Sequence, residues 1–213
     1  RQPETAQGRL EAARKIIDTA AEYGIGKEDI IIDPLTMAVS AGQDSALVTL
    51  EALRQIHAEL GVCTSLGVSN ISFGLPQRET VTSAFFLMAL QSGLNAAIMN
   101  PNSDIMMRAY RSYCALCGFD NNCMNFIAAY SQSKENVVSK TMPGYSLFST
   151  IEKGLKEAAA EAAAALAQTT SSLEIIDQEI IPALDSVGEK FEKGVLFLPQ
   201  LLMSADAAKA AFE

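Results

Sequence analysis

The chain has 213 residues, 49% of them hydrophobic and 19% charged, with a formal net charge of −9 and an isoelectric point near 4.7. That length holds one large domain or two small ones with a sizeable core. The acidic balance repels phosphate backbones and argues against nucleic acid as a partner. No apolar run approaches the roughly 20 residues of a membrane span, and no signal peptide is recognisable, so the reading is a cytoplasmic protein with no membrane partner.

Arg1 stands first rather than Met, and both ends fall in helical patterns, which reads as a segment of a longer polypeptide. The first hundred residues repeat one pattern: an amphipathic helix, a glycine stop, a short apolar strand and a polar strand end. Leu10, Ala13, Ile17 and Ala20 form a helical stripe closed by Gly24. The run Ile30-Ile31-Ile32 follows and ends at Asp33-Pro34. Leu50, Leu53, Ile56 and Leu60 make the second stripe, closed by Gly61, and a strand over 63–68 ends at Ser69-Asn70. Val81, Phe85 and Met88 make the third stripe, closed by Gly93, and Ala96-Ala97-Ile98-Met99 ends at Asn100-Pro101. Ser103 can cap a fourth helix running to about residue 117.

Strands alternating with helices at this spacing predict a parallel sheet with right-handed crossovers, and apolar residues on both strand faces suit buried parallel strands. Residues 118–144 read as a connector broken by Gly118, Asn121-Asn122, Pro143 and Gly144, with a short helix over 124–130. Beyond it no strand signal remains. Ile151, Leu155 and the Ala-rich run 157–168 are strong helix formers. Residues 169–172 make a turn with capping side chains, and Ile176, Ile180, Leu184, Val187 and Phe191 return at helical spacing until Gly194. Pro182 inside that stretch predicts a kink or restart, and Pro199 suits the first turn of a last helix. The tail is a small antiparallel helical bundle in which periodicity alone makes Phe191, Leu198 and Leu201 core residues.

Cys114, Cys117 and Cys123 lie near one another in sequence, but a zinc site wants a fourth ligand at a suitable spacing. The single histidine, His57, falls mid-helix far upstream. No metal site is expected, and the cysteines read as reduced thiols.

The densest polar signal is residues 66–78, Leu-Gly-Val-Ser-Asn-Ile-Ser-Phe-Gly-Leu-Pro-Gln-Arg. An apolar run stops at a carboxamide, and a loop of Ser, Gly and Pro ends in an arginine before the next helix. That is how α/β enzymes present polar groups at the carboxyl ends of strands. Asp and Asn also favour strand-to-loop turns, so each strand end has a plain structural reading. For Asp33 and Asn70 the shared end of adjacent strands favours a ligand role; for Asn100 the two readings stand level.

Residues 67–78, with Ile32-Asp33-Pro34 before them and Gly93-Leu94-Asn95-Ala96-Ala97-Ile98 after, resemble the pterin-binding domain of cobalamin-dependent methionine synthases and of methyltetrahydrofolate:corrinoid methyltransferases. In the tail, Ile180-Ile181-Pro182-Ala183-Leu184-Asp185, Val187-Gly188, Phe191, Gly194 and Phe197-Leu198-Pro199-Gln200 are similar to the helical cap that precedes a cobalamin-binding domain. The order barrel then cap resembles the synthases more than stand-alone methyltransferases.

The resemblance implies an α/β plus all-α chain: residues 1–127 as the C-terminal three βα units of a (β/α)8 pterin-binding barrel, 128–144 as a linker, and 145–213 as the cobalamin cap. It implies a methyltransferase that moves the methyl group of 5-methyltetrahydrofolate to cobalt(I) of cobalamin, through methylcobalamin, and on to homocysteine. Asn70 would hydrogen-bond the methyl-bearing nitrogen. Asp33, Ser69, Arg78 and Asn100 would join it in pterin binding, Arg78 also as a brace for the loop or simply a surface salt bridge. Phe191, Leu198 and Leu201 would cover the upper face of the corrin. Zinc would belong to a homocysteine-binding domain absent from this chain. That domain and a cobalamin-binding domain of the same parent polypeptide would be partners, and the fragment alone is expected to be inactive. Three strands would also leave a bare sheet face open to self-association. The rival reading is a corrinoid-binding or carrier module with no pterin chemistry.

Overall fold

The computed structural model describes residues 3–131 and 146–213. The chain divides into two compact units, Arg1–Leu116 and Cys117–Glu213. Of the expected linker, residues 132–144 lie outside the described residues.

In the first unit α1 (Ala6–Glu22) opens on Thr5, whose hydroxyl accepts from the Gly8 amide at 3.1 Å. β1 (Ile31–Ile32), α2 (Ser45–Leu60), β2 (Cys63–Gly67), α3 (Arg78–Gln91), β3 (Ala96–Ile98) and α4 (Asp104–Leu116) follow. α2 stops because Gly61 takes φ +61°, a left-handed conformation that a side chain would resist. The strands pair in parallel in the order β1-β2-β3, with Ile32 opposite Thr64 and Leu66 opposite Ala97.

The sheet does not bury both faces, as the apolar strands suggested. Ile32, Thr64 and Leu66 face the helices and are buried, whereas Ile31 (64% exposed) and Ile98 (66%) lie on a bare face. Alternation along a strand makes the reason simple: one set of side chains meets α1–α4, and among the described residues nothing covers the other. The main core gathers Leu50, Leu53, Leu66, Val68, Phe85 and Phe86. Met88, expected in the core stripe of α3, is 48% exposed; Thr82, Phe85, Phe86 and Ala89 are the residues buried. Thr64, fully buried in β2, is satisfied by Asn95 Oδ1, which accepts from its amide at 2.9 Å. His57 packs on Gly93, where a Cβ would stand 2.8 Å from the imidazole Cγ, so the only histidine serves packing.

In the second unit a short α5 (Met124–Tyr130) is held at its start by buried Asp120, whose carboxylate accepts from the amides of Asn125 (3.0 Å) and Phe126 (2.9 Å). The helix expected from Ile151 through the Ala-rich run is two: α6 (Leu147–Glu152) and α7 (Lys156–Leu166). Gly154 at φ +67° breaks it, and a Cβ there would stand 2.7 Å from Met203 Cβ on the last helix. A capping box joins Ser171 and Glu174 at the start of α8 (Ser172–Ile175). Between α8 and α9 (Ile181–Glu192), residues Ile176–Ile180 form a π-helical turn. Pro182 sits just beyond it, and its missing N–H and ring clash account for the widened turn. α10 is Leu198–Phe212.

Small residues Ala159, Ala163, Ala207 and Ala208 let α7 and α10 approach closely beside Leu147, Ile151 and Ile180. Glu152 links α6 to α9, accepting from Ser186 Oγ at 2.7 Å and Lys190 Nζ at 2.8 Å. Burial opposes its charge, but these two donors outweigh burial and hold its carboxyl below the usual glutamate range. Among the described residues no helix is long and apolar enough to cross a membrane.

Candidate functional site

A parallel sheet puts all strand carboxyl ends on one edge, and there stand Asp33, Ser69-Asn70 and Asn100. Asp33 is exposed, and its Oδ1 accepts from the Leu35 amide at 2.9 Å. Asn100 is exposed too; its Oδ1 accepts from the Asn102 amide at 3.0 Å and its carbonyl from the Ser103 amide. Both therefore do the work of turn residues. Among the described residues no other hydrogen bond reaches the Asp33 carboxylate, so one of its oxygens stays open. Ser103 does not cap α4 with its hydroxyl, which donates to Glu79 at 2.7 Å and ties this loop to α3.

Asn70 sits in a 3-10 turn, Val68–Ser72, that leaves β2. Its side chain is exposed and its carboxamide has no hydrogen bond among the described residues. It lies over Gly67, where a Cβ would stand 3.2 Å from Asn70 Nδ2. Gly67 has φ −75°, so the glycine is needed for space rather than for backbone conformation.

Arg78 forms no ion pair among the described residues and instead braces this turn. Its Nη2 donates to the Ser69 carbonyl at 3.0 Å and its Nε to Ser72 Oγ at 3.2 Å. The guanidinium lies 4.5 Å from the centroid of the Phe73 ring. Ser72 is fully buried and also meets Thr82 Oγ1 at 2.9 Å. The loop after β1 is tied to the same turn: Ser40 Oγ donates to the Phe73 carbonyl at 2.6 Å, and the Val39 amide to Ile71. Ser69, Asn70 and Arg78 thus share one braced loop, Asp33 stands on the loop bound to it, and Asn100 on a third. Gly67 and Ser72 lay within the quoted run 67–78 without an assigned role, and Ser40 lay outside it. Of these only Gly67, directly before the Val-Ser-Asn run, carried a local signal.

Gly67→Ala is expected to push the Asn70 side chain aside. A side chain displaced by even part of an ångström loses aligned contacts, so a roughly tenfold loss of rate in the full-length polypeptide should result, with thermal stability nearly unchanged. Stopped-flow kinetics beside a melting curve checks both.

In the second unit Phe191 lies in the last turn of α9 and Leu198 opens α10, on either side of a turn at Gly194, φ +67°. Phe191 (41% exposed) and Leu198 (55%) are surface residues and Leu201 is half-buried, so packing within the unit does not claim the first two. Phe197 and Leu202 are exposed beside them in sequence. Exposed apolar residues this close in sequence are a candidate contact surface. Among the described residues no group of three or more His, Cys, Asp or Glu is placed to hold a metal ion.

Comparison with known proteins adds identity to this geometry. Residues 2–100 match the family described as pterin binding enzyme, and residues 146–213 the B12 binding domain. A methylcorrinoid:tetrahydrofolate methyltransferase of Eubacterium limosum is 32% identical over 135 residues, covering 62% of this chain and 49% of its own length. Methionine synthases of Mycobacterium tuberculosis and Mycobacterium leprae are 29% and 27% identical, each covering 99% of this chain and 20% of the relative. The chain therefore spans about half the length of the first relative and a fifth of the synthases. A pterin-binding segment followed by a B12-binding segment, with methionine synthases among the relatives, makes the chain cobalamin-dependent methionine synthase-like.

Proposed function

We propose that this chain is the part of a methyltransferase that presents methyltetrahydrofolate to a corrinoid, in methionine synthesis from homocysteine. The observation that carries the reading is the uncommitted Asn70 carboxamide on the Arg78-braced loop, beside Asp33 with one open carboxylate oxygen, in a chain whose tail matches a B12 binding domain. The division into a barrel section over 1–127, a linker over 128–144 and a cap over 145–213 belongs to the same proposal. So does closure of the bare sheet face by the remaining strands of a (β/α)8 barrel.

The methyl group on a tertiary amine leaves poorly unless its nitrogen gains a proton or a strong hydrogen bond in the transition state. Asn70 is placed to supply that bond, and a carboxamide stays neutral while able to donate or accept. Asp33 accepts from the amino and ring N–H groups of the pterin in a charge-assisted pairing. Arg78 keeps Ser69 and Asn70 at a fixed angle, and Asn100 closes the third side. Cobalamin, when bound, supplies the cobalt nucleophile. With a corrin bound, Phe191, Leu198 and Leu201 would cover its face and keep water from it.

The Eubacterium limosum relative is named for transfer from a methylcorrinoid to tetrahydrofolate, and the same side chains serve either direction. The carrier reading, a corrinoid module without pterin chemistry, has the pterin family match over residues 2–100 against it.

Losing a charge-assisted hydrogen bond costs about 1.5–3 kcal/mol, so Asp33→Ala in the full-length polypeptide should weaken methyltetrahydrofolate binding about 10–100-fold by calorimetry. Unchanged affinity would refute the assignment of Asp33.

A further inference from the structure

The most unusual side chain in the first unit is not in the strand-end cluster. Arg9, on α1, is 7% exposed yet forms no ion pair among the described residues. Its Nη1 donates to the carbonyls of Pro34 (2.9 Å) and Leu35 (2.8 Å) and to Thr49 Oγ1 (3.0 Å), and its Nε to the Pro3 carbonyl (3.3 Å). Burial alone pushes its guanidinium below the ordinary arginine value. Burying a charge against neutral groups is costly, so a plain structural role explains it poorly.

The residue it grips is strained. Leu35 has φ +67°, a left-handed conformation that is rare for a bulky side chain and tends to cluster at functional sites. Arg9 Nη1 and Thr49 Oγ1 (2.9 Å) both lie within hydrogen-bond distance of the Leu35 carbonyl, the Thr49 hydroxyl standing also 3.0 Å from the Ser45 carbonyl. On the opposite side of the same residue, the Leu35 amide donates to Asp33 Oδ1 at 2.9 Å. The carbonyls that Arg9 holds and the amide that holds Asp33 thus belong to one short turn, Asp33 to Leu35.

We infer that Arg9 is a positioning residue: it holds Leu35 left-handed, so that the Leu35 amide fixes one oxygen of Asp33 and turns the other toward the pterin. The inference rests on the reading of Asp33 as a pterin ligand. Arg9 itself touches no substrate.

Methyltetrahydrofolate affinity of the full-length polypeptide, measured by calorimetry, tests it through a double-mutant cycle. Arg9→Met should weaken binding about tenfold, the scale of one lost hydrogen bond to a charged group. In an Asp33→Ala background the same change should cost less than about twofold, because the group it positions is gone. Adding Leu35→Gly to Arg9→Met should restore most of the affinity, since glycine takes positive φ without a brace. Equal losses in both backgrounds, wild-type affinity for Arg9→Met, or no rescue by Leu35→Gly would each overturn the inference. Should Arg9→Met fail to fold, Thr49→Val removes the second donor to the same carbonyl. It should weaken binding roughly threefold in the wild type and leave the Asp33→Ala variant unaffected; equal losses would overturn the inference. A neutral Asp33→Ala change would overturn the pterin reading and the inference together, whereas a damaging Asp33→Ala with an uncoupled Arg9→Met overturns the inference alone.

Discussion

Asn70→Ala should slow methyl transfer by about 10²–10³-fold, the cost of removing one donor that acts on charge developing in a transition state. The methyl-bearing nitrogen is a weak base in the ground state and gains electron density as the methyl leaves. A hydrogen bond to it therefore strengthens along the reaction, and its loss appears in the rate more than in the affinity. The side chain is exposed at the end of β2 and has no competing partner among the described residues, so alanine should leave the fold intact. Arg78 and Ser72 still anchor the turn through the Ser69 carbonyl. Single-turnover kinetics at saturating methyltetrahydrofolate separates rate from binding. A rate within threefold of the wild type would show that Asn70 does not address the reacting nitrogen.

The largest effect on stability is expected at Leu66. It is fully buried in the middle strand, where it meets the core built from Leu50, Leu53, Phe85 and Phe86. Alanine removes the methyl groups from water-free packing and leaves a cavity between sheet and helices. Rigid strands on either side limit collapse, so the cost should be about 3–5 kcal/mol. Chemical denaturation of the chain measures it from the shift in midpoint at constant slope. The helical unit has its own core around Ile151 and Ile180, so a unit-specific probe should show that transition nearly unmoved. A cost under 1 kcal/mol would mean that Leu66 is not the keystone of this sheet.

The strands and helices were legible because the punctuation is local. Gly61 and Gly93 take positive φ where the stripes stop, and the apolar runs that follow them become β2 and β3. The strand-end residues were legible for a topological reason, since parallel strands deliver their carboxyl ends to one edge. What the sequence hid was long-range. Arg9 reaches the Leu35 carbonyl 26 positions away, and Ser40 reaches Phe73 across 33. No spacing rule joins such pairs before the loops are folded.

Periodicity misled at the edges of stripes. Met88 and Leu184 keep helical spacing yet lie exposed, because a stripe can be wider than the surface that covers it. The same applies to Phe191: its spacing reads as core, its exposure does not, and the resemblance to a cobalamin cap supplies the reading the geometry suits. Arg78 went from three readings to one observed role, a brace. At Asp33 and Asn100 the turn reading is realised in hydrogen bonds, and at Asp33 it coexists with an open oxygen.

The most direct measurement follows a labelled methyl group. The full-length polypeptide carrying reduced cobalamin is mixed rapidly with methyl-labelled methyltetrahydrofolate, and free tetrahydrofolate is counted against corrinoid-bound label. Equal amounts of both are expected, formed in a single turnover that Asn70→Ala slows about 10²-fold or more. Label remaining on the folate, with the pterin bound normally, would contradict it.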